Sequence, residues 1–328
     1  MGLLTENTEK AFSLYKERDM KVLSFYAFGT SCKVKFTYPE SFDYQLLSKE
    51  VVSWVSEFEA RYSRYLPNNW ISQVNQSAGK NSVKLSQKDI HLLRIASFTF
   101  FQSKQTIDPS CLPLTQLWQQ AKATNQVPHE SQIKKARELV NWMEVKYTDD
   151  EIYLPIAGMG LDFGGFGKEF AVDQVALILK DQDCANFLID FGGDIYTAGK
   201  AGTDTLWNIG IEMLGGGENP VHIIHLENKA LASSGNYRKF FKLNGNRYGH
   251  TIDHRTGYPT IYSELSASVI SSSCLKSGII STACLLIGKE GGFRMINSEW
   301  DTEGCIQSLE SSLVSNKFYK YLSYENIN

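Results

Sequence analysis

The chain lacks long apolar runs, an excess of basic charge and paired cysteines. No apolar run approaches the roughly 20 residues that a membrane-spanning helix needs, and the amino terminus shows neither the apolar core nor the cleavage site of a signal peptide. The 33 basic and 36 acidic residues form no basic cluster that could neutralise a nucleic-acid backbone. We therefore expect a cytoplasmic protein that has no membrane span and no nucleic-acid partner.

Six cysteines are spread widely through the 328 residues and form no CxxC pair. A chain of this size does not need disulfides to stabilise its core, so the spacing favours reduced thiols. Hydrophobic residues make up 42% of the sequence, which is typical of a globular protein with a substantial core.

Apolar residues recur at intervals of three and four in several segments, which indicates amphipathic helices. In the first segment Leu47, Val51, Val55, Phe58 and Tyr62 share one helical face. The predicted helices span residues 44–62, 88–103, 132–143, 168–179 and 274–287.

Short segments rich in β-branched residues, bounded by glycines or polar turns, predict strands. They span residues 186–190, 207–212, 221–226, 267–270 and 305–309. Residues 239–253 predict a hairpin, because Asn244 and Gly245 tolerate the positive φ of a tight turn. The elements predict an α+β organisation, with helices first and mixed strands later.

Common cofactor and metal signatures are incomplete in this sequence. Gly158 and Gly160 begin a dinucleotide-binding fingerprint, but Phe163 occupies the place of its third glycine, and no phosphate-binding GxxxxGK loop occurs. His222 and His225 lie on a predicted strand that points them to opposite faces, so we do not expect them to share a metal.

A second histidine pair, His250 and His254, has the spacing of zinc ligands on one helical face. The Arg-Thr-Gly-Tyr-Pro turn that follows the pair argues against a helix. Zinc binding is therefore not expected here either.

A glycine-rich turn, LDFGGFGKEFAVD at residues 161–173, runs directly into a predicted helix. Glycines permit close backbone approach, the first helical N–H groups can bind an anion, and Lys168 adds a positive charge. Taken alone, the segment favours a plain turn between a strand and a helix over an anion site.

Three further segments follow this turn in order: IDFGGDIYTAG, ASSGNYRKFF and RYGHTIDHRTGYP. The four together resemble the ApbE family, whose corresponding strings look like LDLGGIAKGYAVD, VNLGGDI, TSGDYERYF and YSHIIDPRTGYP. Upstream, residues 27–30 are similar to the family's MGT, residues 62–65 to its FSRY, and residues 106–118 to its FDPTVGPLVNLW. The resemblance spans roughly residues 25 to 290.

The resemblance implies an ApbE-like, T-fold-like α+β protein with mixed, mainly antiparallel sheets and flanking helices. It implies one domain over residues 25–328 after an amino-terminal extension of residues 1–24. It also implies an FAD:protein FMN transferase that cleaves the FAD pyrophosphate with Mg²⁺ and attaches FMN to Thr or Ser. The acceptor would be a flavoprotein with a Ser/Thr-Gly-x-Thr-like motif.

The same match implies the site residues. Those expected to line the FAD site are Phe28, Tyr65, Thr106, Ile107, Asp108, Asp162, Lys168 and Ile252. His250 is expected to act as the general base, because the unperturbed pKa of histidine lies near neutrality. Thr282, its neighbour Ser281 and the Gly165 carbonyl are expected to contact the metal.

The sequence departs from the family where residues 273–283 align with a string resembling AMLADALATA. There an Asp and a Thr four residues apart reach the magnesium, whereas this chain has Gly278 at the Asp position. Because Mg²⁺ prefers at least one carboxylate ligand, the change should weaken metal binding unless another carboxylate, such as Glu264, replaces it. Asn236 and His254 also replace an Asp and a Pro of the family strings.

Two alternatives to transfer follow from this departure. One is an FAD-binding protein that has lost the catalytic metal site. The other is hydrolysis of FAD to FMN and AMP, although that reaction would also need the metal.

Overall fold

The computed structural model describes residues 12–37, 43–202, 205–217, 219–236, 240–260 and 265–323. The helices are α1 Tyr44–Tyr62, α2 Trp70–Gln76, α3 Gln87–Gln102, α4 Leu112–Thr124, α5 Glu130–Glu138, α6 Gly167–Asp181 and α7 Cys274–Ser298. The strands are β1 Phe12–Glu17, β2 Met20–Ala27, β3 Thr30–Thr37, β4 Val83–Lys84, β5 Lys146–Tyr147, β6 Glu151–Tyr153, β7 Asn186–Phe191, β8 Asp194–Ala198, β9 Trp207–Ile211, β10 His222–Leu226, β11 Ala230–Gly235, β12 Phe240–Leu243, β13 Asn246–Gly249, β14 Ile252–Asp253, β15 Tyr258–Pro259, β16 Leu265–Ser271, β17 Glu303–Ser308 and β18 Ser312–Val314.

A nine-stranded antiparallel sheet forms the centre of the fold, in the order β1-β2-β3-β7-β8-β11-β16-β17-β18. Side chains alternate between buried and exposed along β3, because successive residues point to opposite faces of the sheet. Cys32, Val34 and Phe36 are buried, and Ser31 and Lys33 are exposed. Helices α1 to α5 lie in sequence between β3 and β7, which pair with each other. The segment between β3 and β7 therefore does not interrupt the sheet.

Three helices supply most of the packing that matters for the site. α1 begins at Asp43, whose carboxylate accepts hydrogen bonds from two backbone N–H groups, and it buries Val51 and Val55 against the sheet. α6 packs on β7 and β8, and α7 packs on β11, β16 and α6. The amino-terminal turns of α6 and α7 are thereby held against each other.

The predicted elements compare closely with the structure in most places. The helix predicted at 44–62 is confirmed to the residue, and those at 88–103 and 168–179 are confirmed within one or two residues. The helix predicted at 132–143 is wrong in its second half, because α5 ends at Glu138 and a separate 3₁₀ turn covers Trp142–Glu144. α7 continues to Ser298 because a kink at Gly288, where φ is 80°, joins two helical segments.

The strand predictions are confirmed, but two statements about their arrangement are wrong. In the hairpin, Asn244 and Gly245 adopt φ of 49° and 80°, yet its second arm ends at Gly249, and Ile252–Asp253 pairs with β15 instead. The order of helices first and strands later is also wrong, since β1, β2 and β3 precede every helix. The predicted domain boundary after residue 24 falls inside β2.

All six cysteines carry free thiols, as predicted. Of the residues that the structure describes, none belongs to a helix with the length and hydropathy needed to span a membrane.

Candidate active site

The glycine-rich turn and the start of α6 form the first part of the candidate site. Phe166 occupies the N-cap of α6 and gives no side-chain hydrogen bond to the first helical amides. Ahead of it, Asp162 accepts a hydrogen bond from the Gly164 N–H (2.9 Å) and forms an ion pair with Arg64 (3.0 Å). The end of α6 thus has the positive electrostatic character that favours an anion.

Lys168 joins this turn to the second glycine segment. Its ammonium donates to the Phe191 carbonyl (3.0 Å) and forms an ion pair with Asp194. Burial by itself lowers the pKa of Lys168, but the charges of Asp194 and Glu169 outweigh burial and raise it. The lysine therefore remains cationic, as a phosphate-binding role requires.

Gly192 in the second glycine segment contacts the hairpin between β2 and β3. Its φ is 65°, and a Cβ there would lie 2.3 Å from the Thr30 hydroxyl, so only glycine fits. The segments at residues 27–30, 161–173 and 189–194 are therefore in contact with one another.

Glu169 is a functional candidate that the sequence analysis did not identify. Its carboxyl group is buried beside Asp194, and burial, followed by the charge of Asp194, raises its pKa to about 8. Its Oε2 atom accepts no hydrogen bond from the described residues. The only available signal was that the family string has Gly where this chain has Glu169.

The residues predicted to contact metal on α7 do lie together. The Ser234 hydroxyl, from the third motif, is 2.9 Å from the Ser281 hydroxyl and 3.0 Å from the Thr282 hydroxyl. Ser281 also donates to the Gly278 carbonyl (3.1 Å). Gly165 lies in the turn before α6, where a Cβ would be 3.3 Å from the Ile107 side chain.

The nearby thiol of Cys274 does not add a soft ligand to these oxygen atoms. Burial, and then the negative charges of Asp194, Asp173 and Glu169, raise the pKa of Cys274 well above its usual value. A protonated thiol is a poor metal ligand. The group suits a hard, oxygen-seeking cation, although no cluster of three or more His, Cys, Asp or Glu side chains occurs among the described residues.

Asp173 fixes α7 relative to α6. Its two carboxylate oxygens accept hydrogen bonds from the Cys274 N–H (2.8 Å) and the Leu275 N–H (2.9 Å) at the start of α7. Burial raises the pKa of Asp173 to about 6, although these two bonds oppose the increase. This acidic residue of the first motif therefore has a structural contact that the sequence pattern did not reveal.

Replacing Asp173 with Ala should lower the free energy of unfolding by about 1–2 kcal/mol at neutral pH, because two helical N–H groups lose their acceptor. The folded-state pKa of Asp173 lies above the unfolded value of 3.8, so folding binds a proton between these values. The additional stability from this proton uptake is complete below pH 3.8 and is lost as the pH rises through about 6, which leaves only the hydrogen-bond contribution at neutral pH. Urea unfolding at several pH values should show the gap between wild type and variant widening as the pH falls; a constant gap would contradict this.

The residues predicted to line the FAD site divide into two groups. Thr106 and Asp108 are buried, and Asp108 already accepts hydrogen bonds from the Ser110 N–H (2.7 Å) and the Trp142 N–H (3.1 Å). Tyr65 is 59% exposed and carries the Arg64 guanidinium 4.1 Å above its ring. Tyr65 is accessible to a ligand. Asp108 instead holds its own loop in place through the bonds to Ser110 and Trp142.

Phe28 adopts φ of 52° at the tip of the β2–β3 hairpin, where its N–H donates to Glu59 (2.7 Å). Its ring stacks on Phe191 with centroids 6.0 Å apart. Ile252 packs against the cluster around Trp118, and His250 just before it is exposed. The fourth motif is thus anchored by its apolar side and leaves His250 accessible.

Contacts of the fourth motif also connect it to the other segments. His254 bonds the Gln105 carbonyl (2.9 Å), which places the turn beside the segment at residues 106–108. Arg255 donates to the Leu286 carbonyl of α7 (2.8 Å). These bonds bring the fourth motif to the same helix that carries Ser281 and Thr282.

The four histidines of the two pairs lie on strands and turns. His222 and His225 lie on β10, where His222 packs on Phe318 and His225 bonds Asn208 (2.6 Å). His250 precedes β14 and His254 follows it in a turn, so no helix brings that pair together. Glu264, the proposed replacement ligand, lies outside the described residues.

A surface depression of about 430 Å³ is lined by Tyr15, Lys21, Tyr44 and their neighbours beside β1, β2 and α1. It shares no lining residue with the site described above. Acidic, basic and hydroxyl groups instead lie close together between α6 and α7.

The sequence is similar to those of known proteins. The model of the ApbE family matches residues 28–306. A Vibrio cholerae protein named FAD:protein FMN transferase is 26% identical over 268 residues, covering 80% of each chain.

Two solved structures have the same fold. The flavin transferase ApbE from Vibrio cholerae superposes with a TM-score of 0.80 at 22% identity, covering 95% of this chain and 100% of that one. The ApbE protein from Thermotoga maritima gives a TM-score of 0.82 at 20% identity, with coverage of 95% and 100%. Because the family model matches most of the sequence and the α+β architecture is the same, this chain belongs to the ApbE family.

Proposed function

We propose that this protein is an FAD:protein FMN transferase, which cleaves the FAD pyrophosphate and attaches FMN through a phosphoester bond to Thr or Ser of an acceptor flavoprotein. The observation that carries the proposal is the set of hydrogen bonds and ion pairs joining the four motifs to α7. Lys168 links the first motif to the second, Ser234 links the third to α7, and Arg255 links the fourth to α7.

The phosphate end of FAD fits the start of α6. The uncapped helix end and the Lys168 ammonium supply fixed positive charge, which stabilises the negative charge that develops when a phosphoanhydride is attacked. Asp162 and Arg64 hold the preceding turn in place. We assign these residues the binding and orientation of the pyrophosphate.

The flavin and adenine rings fit the apolar and aromatic groups around this turn. Phe28 and Tyr65 offer ring faces, and Ile107 and Ile252 offer aliphatic contacts. Thr106 and Asp108 shape the loop that carries Ile107, through bonds to Ser103 and Ser110.

His250 is assigned the role of general base. It is exposed at the start of the fourth motif, where an acceptor hydroxyl can approach from solvent. The imidazole would take the proton from that hydroxyl as its oxygen attacks the FMN phosphorus, and AMP would leave.

Magnesium fits the oxygen atoms found here. Ser281, Thr282 and the Gly165 carbonyl are the residues proposed to hold it, together with FAD phosphates. When bound, the ion would neutralise charge on the pyrophosphate oxygens. A carboxylate is still required, since Gly278 offers none.

Intact-mass spectrometry of an acceptor domain tests the function. We expect a domain with a Ser/Thr-Gly-x-Thr motif, incubated with this protein, FAD and Mg²⁺, to gain the mass of one FMN. The gain should disappear with EDTA or when the last Thr of the motif is replaced by Val. Retention of intact FAD without any gain, across several acceptor domains, would contradict transfer and favour the FAD-binding alternative.

A further inference from the structure

The carboxylate missing from α7 has a counterpart on α6. A Cβ built on Gly278 would lie 2.4 Å from Cγ, 3.0 Å from Cδ and 3.2 Å from Cβ of Glu169. Contacts below 3.0 Å are not compatible with two full side chains, so the Glu169 side chain occupies the space of any residue larger than glycine at 278. The carboxyl carbon of Glu169 lies 3.0 Å from the Cβ position that an Asp at 278 would have.

Compared with the family strings, this chain gains a carboxylate at position 169 and lacks one at position 278. The first family string has Gly where this chain has Glu169, and the α7 string has Asp where this chain has Gly278. The number of carboxylates between the helices is unchanged, while the helix that carries the carboxylate differs. Glycine at 278 costs about 1 kcal/mol inside a helix, and the space required by Glu169 accounts for that cost.

Two buried carboxyl groups, those of Glu169 and Asp194, lie side by side at this position. Glu169 and Asp194 are buried, and the ion pair of Lys168 is with Asp194. Oε2 of Glu169 accepts no hydrogen bond from the described residues, although an unsatisfied buried carboxylate oxygen is costly. On the adjoining helix, Thr282 lies one turn beyond Gly278 on the same face, bonded to Ser234.

We propose that Glu169 supplies, from α6, the carboxylate ligand for a divalent cation, and that Gly278 makes room for it. This inference rests on the proposed function, which requires the metal. It assigns the cation the Glu169 carboxylate and the hydroxyl oxygens of α7, a set suited to Mg²⁺ or Mn²⁺.

Mn²⁺ binding to the full, chelator-treated protein, followed by calorimetry and electron paramagnetic resonance without FAD or acceptor, tests the site. We expect one bound Mn²⁺ in the wild type. Loss of an outer-shell partner already weakens metal binding by about 10–100-fold, so Glu169→Gln should weaken it at least as much. Asp181→Asn, which removes an exposed charge from the other end of α6, should have no such effect.

The double variant Glu169→Gly with Gly278→Asp returns the carboxylate to α7 and should bind Mn²⁺ within several-fold of the wild type. Single Glu169→Gly should not bind. If Glu169→Gln bound Mn²⁺ with wild-type affinity, or if a folded double variant did not recover Mn²⁺ binding, the proposal that Glu169 replaces the α7 carboxylate would be overturned. Because neither FAD nor acceptor is present, a failed transfer assay leaves this result unaffected, and the two hypotheses fail separately.

Discussion

Replacing His250 with Ala should lower the rate of FMN transfer by about 10²–10⁴-fold, the usual contribution of a positioned general base. His250 is exposed and lies ahead of β14, so its removal should leave FAD binding and the unfolding midpoint almost unchanged. The loss should therefore appear in the rate at saturating FAD and acceptor. Quenched-flow mass spectrometry of the acceptor measures that rate directly.

His225→Ala is the matched control, because His225 is half-buried on β10, where it bonds Asn208. Its transfer rate should equal that of the wild type. If His250→Ala also transferred FMN at the wild-type rate, another group would have to remove the proton. If it failed to bind FAD, His250 would be a binding residue rather than the base.

The helices could be predicted because their periodicity is local. In α1 the buried residues Leu47, Val51 and Val55 follow the helical repeat, and the predicted ends match the structure. The first three strands were not predicted, although the alternation of Cys32, Val34 and Phe36 with polar residues in β3 is a strand signal. β1 is an edge strand with mostly exposed side chains, and the turn into β3 places Phe28 at φ of 52°, where hairpins usually have Asn or Gly.

The candidate site could be predicted only as far as motifs describe it. The resemblance identified Lys168, Ser281 and Thr282, but it could not show which side chains fill the space between α6 and α7. In the sequence, Glu169 is an ordinary acidic residue in a first helical turn, where it suits the helix dipole. Its burial against Gly278 depends on residues more than 100 positions apart, which Asp173 holds together by capping α7.

Lys168→Met should be the most destabilising single change at the site. The Lys168 ammonium lies beside two buried carboxyl groups, those of Glu169 and Asp194. Removing one partner of a buried ionic group typically costs about 3–5 kcal/mol, because the remaining charge is left uncompensated. Guanidinium unfolding of the metal-free protein at neutral pH should show a loss of this size.

Lys180→Met is the matched control on the same helix, since its ammonium bonds the neutral hydroxyl of Tyr196 (2.8 Å) rather than a carboxylate. Its effect should remain below about 1 kcal/mol. The Lys168→Met deficit should grow as the pH rises through about 8, because Glu169 then ionises and the Lys168 ammonium favours that charge. Equal losses in both lysine variants, or a deficit that grows in acid, would show that the ammonium does not balance these carboxylates. A deficit that grows with pH would instead link Lys168, Glu169 and Asp194 as one electrostatic unit.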